Sequence, residues 1–424
     1  MVVVGAGFGG LAVVRGLRHT EVDVTLIDRH NYHLFQPLLY QVASALLDPS
    51  DIAHPVRSIL RHSRNCDFRL AEVTGVDLER RSVRTTTGEL GYDQLVLATG
   101  SATSYFGNHE LAALAYGLKD LGEALALRAR VLDAFEQASR SDVPDERQPL
   151  LTFVIVGAGP TGVEYAGALS ELVYHVLRHD FPSIDVDRVD IVLVEATGAV
   201  LGGFPAGLGR RAQAALKRKG VRILFDHTVA GVATGEVVFA SGERLPAATV
   251  IWTAGVSAEA PAGLDGVQRA RQGRVPVNPA TLEVEGQGGV HAIGDLAACP
   301  GPDRRPLPML APVAIQQGEH AARVIAARAR GEPDPGPFRY RDHGTMATVG
   351  RNVAVAQIGP LRLSGLIGWL AWLFVHLMSL VSFRNRLLVL IGWGWNYVLY
   401  DRPVRLIVSP TPPSGSAGAP PALP

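Results

Sequence analysis

Short runs of valine, isoleucine and leucine punctuate this chain, and two of them run straight into glycine-rich loops. Met1 to Val4 leads into Gly5-Ala6-Gly7-Phe8-Gly9-Gly10, and Leu151 to Val156 leads into Gly157-Ala158-Gly159-Pro160-Thr161-Gly162, about 150 residues later. An unbroken apolar run of this length is the pattern of a strand buried on both faces of a parallel sheet. Beyond each loop the chain predicts a helix, which in the second copy extends from Gly162 to about Leu177. A second apolar strand follows in each case, Val22 to Ile27 ending in Asp28 and Val189 to Val194 ending in Glu195. Each half then closes on a further apolar strand and a tight turn, Leu95-Val96-Leu97 into Ala98-Thr99-Gly100 and Thr249 to Trp252 into Thr253-Ala254-Gly255. The echo makes the two halves an internal duplication, in an α/β fold of two Rossmann-like domains.

The glycines have separate physical tasks. Gly5 and Gly157 make the turn out of the strand, Gly7 and Gly159 let backbone approach a pyrophosphate, and Gly10 and Gly162 let the helix pack on the sheet. The helix N-terminus supplies unpaired N–H groups and a positive dipole end for the phosphates. Asp28 and Glu195 stand where an acid accepts from a ribose hydroxyl. Glu195 has no adjacent Arg or Lys in Glu195-Ala196-Thr197-Gly198. A carboxylate there accepts from a free 2'-hydroxyl and repels a 2'-phosphate, so the second site predicts NADH over NADPH.

Further along, Gly289-Val290-His291-Ala292-Ile293-Gly294-Asp295 is again a short strand tipped by an acid, so the chain is expected to return to its first domain. The predicted division is 1–113 and 261–335 for the first domain, 114–260 for the second, 336–408 for a C-terminal region and 409–424 for a disordered Pro/Gly/Ala/Ser tail. Between Asp342 and Asp401 there is no acidic residue, while Arg351, Arg362, Arg384 and Arg386 are present. Leu363 to Phe383 is apolar for about the length that spans a bilayer core. Gly365, Gly368, Trp372, His376 and Ser379 recur at helical spacing on one face, with Leu366, Leu370, Phe374, Leu377 and Val381 on the other. Trp393, Trp395 and Tyr397 follow beside the arginines, as suits headgroup level. The expectation is a helix lying in the membrane surface; a spanning helix and a buried core or dimer helix are the competing readings.

Composition narrows the chemistry. With 424 residues and a formal net charge of zero, the chain holds two or three domains and shows no nucleic-acid character. Its two cysteines, Cys66 and Cys299, form no CxxC or CxxxxC pair, which excludes a dithiol relay from a flavin. The thirteen histidines form no metal motif; His30 and His33 lack a third ligand, so no metal is expected. No signal peptide precedes the first strand, so the catalytic body is expected in the cytoplasm.

With these parts the chain resembles the bacterial type II NADH dehydrogenases, single-subunit NADH:quinone oxidoreductases that pump no protons. The resemblance runs from Val2 to about Ile407. It is carried by Asn31-Tyr32-His33-Leu34-Phe35-Gln36-Pro37-Leu38-Leu39-Tyr40-Gln41-Val42-Ala43, by Gly159-Pro160-Thr161-Gly162-Val163-Glu164, by Ala311-Pro312-Val313-Ala314-Ile315-Gln316-Gln317-Gly318 and by Phe383-Arg384-Asn385-Arg386-Leu387. The resemblance implies a glutathione-reductase-like architecture with one non-covalent FAD, held through Gly5, Gly7, Gly10, Asp28, Gly100, Asp295 and Ala314. It implies NADH as substrate on Gly157, Gly159, Gly162 and Glu195, and hydride transfer to FAD followed by two-electron delivery to ubiquinone or menaquinone. It further implies Glu164 near the nicotinamide and flavin and catalytic with Gln316 and Gln317, a quinone headgroup beside Ala314 and Gln316, a homodimer, and a peripheral place on the cytoplasmic face of the membrane. Family members carry AQxAxQ at the quinone tunnel; here Pro312 replaces the first glutamine and Gln316 is the second. Glu164 has a plainer reading as a first-turn acid favoured by the helix dipole, and Gln316 and Gln317 as the polar start of a helix beneath the flavin. Two other functions stay open: a sulfide:quinone oxidoreductase, which needs cysteines flanking the flavin, and a redox-dependent protein whose NADH binding drives a partner interaction.

Overall fold

The computed structural model describes residues 1–381, 383–399 and 402–407. The expected tail, 409–424, lies outside the described residues. Val2–Val4 is the centre of a five-stranded parallel sheet ordered Val290–Ala292, Leu95–Leu97, Val2–Val4, Val24–Asp28, Cys66–Leu70. All three residues of Val2–Val4 are buried, as the apolar run requires. The second sheet is ordered Thr249–Trp252, Thr152–Val156, Asp190–Val194, Val221–Leu224, also parallel throughout. Strip Val290–Ala292 from the first and the two orders coincide. Each sheet is followed, between its third and fourth strands in sequence, by a three-stranded antiparallel meander: Val73–Asp77, Ser82–Thr85, Gly88–Gly91 and Val229–Ala233, Glu236–Phe239, Arg244–Pro246.

The two crossing connections, Ser101–Thr103 and Val256–Ala258, pair antiparallel, and a bidentate Arg29–Glu259 ion pair closes at 2.6 Å beside them. The chain then re-enters the first sheet, because Val290–Ala292 adds parallel to Leu95–Leu97. The helix Ala311–Ala329 lies against Phe8–Gly16 so tightly that a Cβ on Gly318 would stand 2.4 Å from the Gly9 carbonyl oxygen. Only glycine permits that helix–helix approach.

A hairpin sheet, Thr345–Thr348, Ala354–Ile358 and Leu361–Ser364, carries the C-terminal helices Gly365–Ser379 and Phe383–Leu399. The apolar run from Leu363 to Phe383 is therefore not one helix. Leu363 and Ser364 pair with Ala356 and Val355, and Leu380 takes extended backbone (φ −64°, ψ 142°) that ends the first helix at 15 residues. Fifteen residues rise about 22 Å, short of the ~30 Å hydrocarbon thickness. Among the described residues no helix is long and apolar enough to cross a membrane.

Candidate active site

The two glycine loops superpose in chemistry as well as sequence. Gly5 and Gly157 take φ of 102° and 103°, the left-handed side that favours glycine. A Cβ on Gly10 would stand 1.9 Å from the Gly5 carbonyl oxygen, and one on Gly162 2.0 Å from that of Gly157. Gly7 and Gly159 sit at the N-caps of Phe8–Gly16 and Pro160–Leu172 with nothing within 4 Å of a would-be Cβ, which leaves open space where phosphates approach the helix ends. Asp28 and Glu195 face their loops in the same manner. The Ala6 amide donates to Asp28 Oδ2 at 2.6 Å and the Ala158 amide to Glu195 Oε2 at 2.8 Å; the His30 and Thr197 amides hold the other oxygens at 2.7 Å and 2.9 Å. Each carboxylate is thus fixed in place at the tip of its strand, with lone pairs left for ribose hydroxyls.

Around the first loop, several groups fit a flavin nucleotide. Gly100 (φ 75°) leaves open space, and the Thr99 hydroxyl is buried with no hydrogen-bond partner among the described residues, while Gln317 Nε2, buried without a complete hydrogen bond, faces Cys299. Buried polar atoms of this kind cost stability unless a ligand or water satisfies them. Gln317, fully buried, accepts the Gly294 amide at 2.7 Å and so fixes the turn that presents Asp295. Ala314 packs against both Gly9 and Gly294. Gln316 goes elsewhere: its amide bonds the Arg341 backbone at 3.0 Å and 2.9 Å, tying a connecting segment across the helix start. Pro312 sits in the first turn of that helix, where a missing N–H costs nothing.

Two partners of Asp295 escaped the sequence reading. Ser101 Oγ donates to it, and Lys119 Nζ lies 3.4 Å away. The signal was present in composition, for Lys119 is one of three lysines in a chain whose other cations are arginines.

Glu164 stands two residues past Gly162, on the helix that opens from the second glycine loop. It lies on the Pro160–Leu172 helix, 9% exposed, where it accepts the Thr348 amide at 3.3 Å; the Trp372 indole N–H, without a complete hydrogen bond of its own, faces the same carboxyl. Burial pushes its pKa up to about 8, against the smaller lowering by Thr348 and Trp372. No acid stands in the first turn of this helix; Glu164 is its fifth residue. Seven residues on, Glu171 shows the contrast. Burial alone would raise it, but Lys219 Nζ at 2.8 Å, Arg402 and the Arg351 amide hold its pKa below the usual value.

From the first glycine loop, ring contacts run outward without a break. Phe8 meets Phe35 (centroids 5.9 Å), Phe35 meets His376 (6.4 Å), His376 stacks on Trp372 (4.1 Å) and Trp372 meets Trp393 (5.8 Å). At the outer end lies a cleft of about 60 Å3, lined by Tyr40, Gln41, Thr348, Trp372, Trp393 and Tyr397 among others. Gln41 sets its wall: it donates to Tyr40 Oη at 2.8 Å and accepts the Trp393 indole N–H at 2.8 Å.

The helices beyond the cleft turn their small and polar face inward, as their periodicity predicts. Gly368 and Trp372 are buried, whereas Leu366, Ile367, Leu370, Phe374 and Met378 are exposed. Leu377 and Val381, expected outward, are half-buried, and Ser379, expected inward, is exposed.

Known proteins match this arrangement. Residues 1–318 match the pyridine nucleotide-disulphide oxidoreductase family and residues 343–399 the NDH2 C-terminal domain. A type II NADH:quinone oxidoreductase (Ndh) of Mycobacterium tuberculosis is 42% identical over 408 residues, covering 93% of this chain and 87% of the relative. One from Staphylococcus aureus is 32% identical over 375 residues, covering 86% and 91%. In fold the chain is similar to NDH2 from Plasmodium falciparum in complex with NADH (TM-score 0.87, 19% identity, covering 95% and 98%). It is less similar to the sulfide:quinone oxidoreductase of Aquifex aeolicus (TM-score 0.71, 18% identity, covering 94% and 95%). The NADH-linked relatives and the matching C-terminal domain favour this reading over the sulfide-oxidising alternative: the chain belongs to the type II NADH:quinone oxidoreductases, FAD-dependent enzymes that oxidise NADH and reduce quinone.

Proposed function

We propose a division of labour for that reaction in this chain. FAD is held by residues 1–113 and 261–335 through Gly5, Gly7, Gly10, Asp28, Gly100, Asp295 and Ala314, and NADH by residues 114–260 through Gly157, Gly159, Gly162 and Glu195. When bound, FAD supplies the two-electron chemistry, taking a hydride from NADH and giving electrons to quinone. The protein's part is to orient and to exclude water. Lys119 and Ser101 hold Asp295, and Gln317 holds the Gly294 turn beneath it. Gln316 acts one step back, by tying Arg341 across the helix start.

The quinone route follows the aromatic cleft between Tyr40, Trp372 and Trp393. One observation supports it above others: Thr348 and Trp372, which face the Glu164 carboxyl, also line the cleft that opens beside the exposed helical face. Glu164, buried and holding its proton up to about pH 8, is the group placed to give a proton to a reduced headgroup. Residues 336–408 form the membrane-association region and keep the enzyme peripheral, on the cytoplasmic face where its NADH is. A homodimer completes this reading.

Glu164→Gln tests the proton role. Wild-type quinone reduction is expected to fall as pH rises through about 8, while the variant is about 10² slower at pH 7 and flat across that range. Ferricyanide reduction by NADH, which consumes no proton at this group, is expected to persist. The stability sign is fixed too. The folded pKa lies above the unfolded value of 4.5, so Glu164's contribution is complete below pH 4.5 and is lost as pH rises to about 8. Glu164→Gln is therefore expected to gain on wild type in melting temperature between pH 5 and pH 8. A wild-type pH profile unchanged by the substitution would sink the assignment.

For Glu195→Ala the expectation is a loss of about tenfold in kcat/KM for NADH, from one ribose hydrogen bond to a charged group, with little change for NADPH. An unaltered NADH/NADPH ratio would mean that another residue reads the ribose.

A further inference from the structure

We propose that the Ala206–Arg218 helix of the second Rossmann-like domain is a further membrane contact, whose exposed cationic face lies on anionic phospholipid headgroups. Between Glu195 and Asp226 the chain has no acidic residue, while it carries Arg210, Arg211, Lys217, Arg218, Lys219 and Arg222. The same skew marks residues 343–400, and the fold brings the two stretches together. Arg211 donates to the Oγ of Ser364, the residue from which the Gly365–Ser379 helix starts. The Ala206–Arg218 helix buries Leu208, Ala212, Ala215 and Leu216. It exposes Arg210, Arg211, Lys217 and Arg218, with only Ala206, Gly207 and Ala214 between them. At 3.6 residues per turn these exposed positions fill an arc of about 140°, one continuous face.

The protein does not neutralise the charge on that face. Among the described residues Arg210, Arg211, Lys217 and Arg218 enter no ion pair, and the carboxylates of Glu171 and Asp190 on neighbouring elements are taken by Lys219 at 2.8 Å and by Arg222. Arg211 and Arg218 donate to a neutral hydroxyl and to the Ala214 carbonyl, which leaves both charges in place. Arg362 adds a fifth cation: it is exposed and stands two residues before Ser364 on one strand, hence on the same face. What favours a bilayer over a soluble polyanion is the apolar surface alongside. Leu361, Leu366 and Ile367, all exposed, lie within three residues of Ser364. Cations at headgroup level beside apolar groups that enter the acyl boundary are the pattern an anionic bilayer matches.

The proposal rests on the reading that the exposed face of the Gly365–Ser379 helix enters a membrane. The test floats the purified flavoenzyme with vesicles of phosphatidylcholine alone or of phosphatidylcholine mixed with phosphatidylglycerol. Wild type is expected to bind the anionic vesicles more tightly. R210Q/K217Q/R218Q, which spares the Arg211–Ser364 bond, is expected to lose about 10² of that affinity, each cation near an anionic surface counting for about fivefold (~1 kcal/mol). On phosphatidylcholine alone the variant is expected to bind as wild type does. R304Q/R305Q/R323Q, an equal loss of charge from the first domain, is expected to keep the tighter binding to anionic vesicles. Flavin content and ferricyanide reduction by NADH at the wild-type level show that both variants are folded. Equal wild-type affinity for the two vesicles, or a loss in R210Q/K217Q/R218Q no larger than in R304Q/R305Q/R323Q, would overturn the headgroup contact and leave the membrane reading intact. Failure of wild type to float with either vesicle defeats the membrane reading as well.

Discussion

A Gly10→Ala enzyme is expected to purify without flavin and to reduce no acceptor, whereas Gly162→Ala is expected to keep its flavin and lose NADH oxidation. The same methyl group is added in both. At Gly10 it would stand 1.9 Å from the Gly5 carbonyl oxygen; at Gly162 it would stand 2.0 Å from the Gly157 carbonyl oxygen and 2.8 Å from Thr253 Oγ1. No rotamer relieves a clash between Cβ and backbone, so the helix must slide away from its strand. The N-terminal amides then leave the position at which they face a phosphate. A displacement of about 1 Å costs on the order of 10² in rate or affinity, and here it falls on all the phosphate contacts at once. Flavin content from visible absorbance, and reduction by NADH against reduction by dithionite, give the readout. Gly162→Ala should show flavin that dithionite bleaches at once and NADH bleaches at least 100-fold more slowly than in wild type. Equal loss of flavin in both variants would mean that the two loops do not serve separate nucleotides.

That pair is a fair measure of what the chain reveals by itself. Both loops, their strands and the acids at residues 28 and 195 are local signals, because turn geometry and a buried parallel strand each impose their own residue types over fewer than ten positions. The helical face was legible as far as Leu366, Leu370 and Phe374. Its ends were not, since Leu363 and Ser364 belong to an antiparallel pair with Ala356 and Val355 that periodicity cannot register. Long-range chemistry was out of reach for the same reason. Glu164 and Glu171 share one helix, yet their opposite pKa shifts come from burial, which outweighs Thr348 and Trp372, in one case and from Lys219 and Arg402 in the other. Gln316 and Gln317 are neighbours that part company: one ends on a backbone segment near Arg341, the other beneath Gly294. Helical direction alone separates them, about 100° apart, and only packing says which faces the nucleotide.

Replacing Leu366, Leu370 and Phe374 together by glutamate is expected to move the enzyme from the membrane to the soluble fraction while leaving NADH oxidation with a water-soluble quinone near the wild-type rate. These side chains are 53%, 53% and 66% exposed on the outer face of the Gly365–Ser379 helix, opposite buried Gly368 and Trp372. Each large apolar group gains ~1.5–3 kcal/mol on leaving water. Losing three, and adding three charges that resist entering the acyl boundary, removes more than 10³ in partition. Truncation from residue 361 is a poorer experiment, for it strips Trp372, Leu380 and Val389 from the core and Arg402 from Glu171. Such a truncated chain is expected to lose both activities, and so would say nothing of the membrane. In the triple variant the cleft between Tyr40, Trp372 and Trp393 keeps its walls, so a soluble quinone still enters while an isoprenoid quinone dissolved in vesicles is no longer met. Retention of the triple variant on vesicles, with isoprenoid quinone still reduced, would show that the face bound to the membrane is not this one.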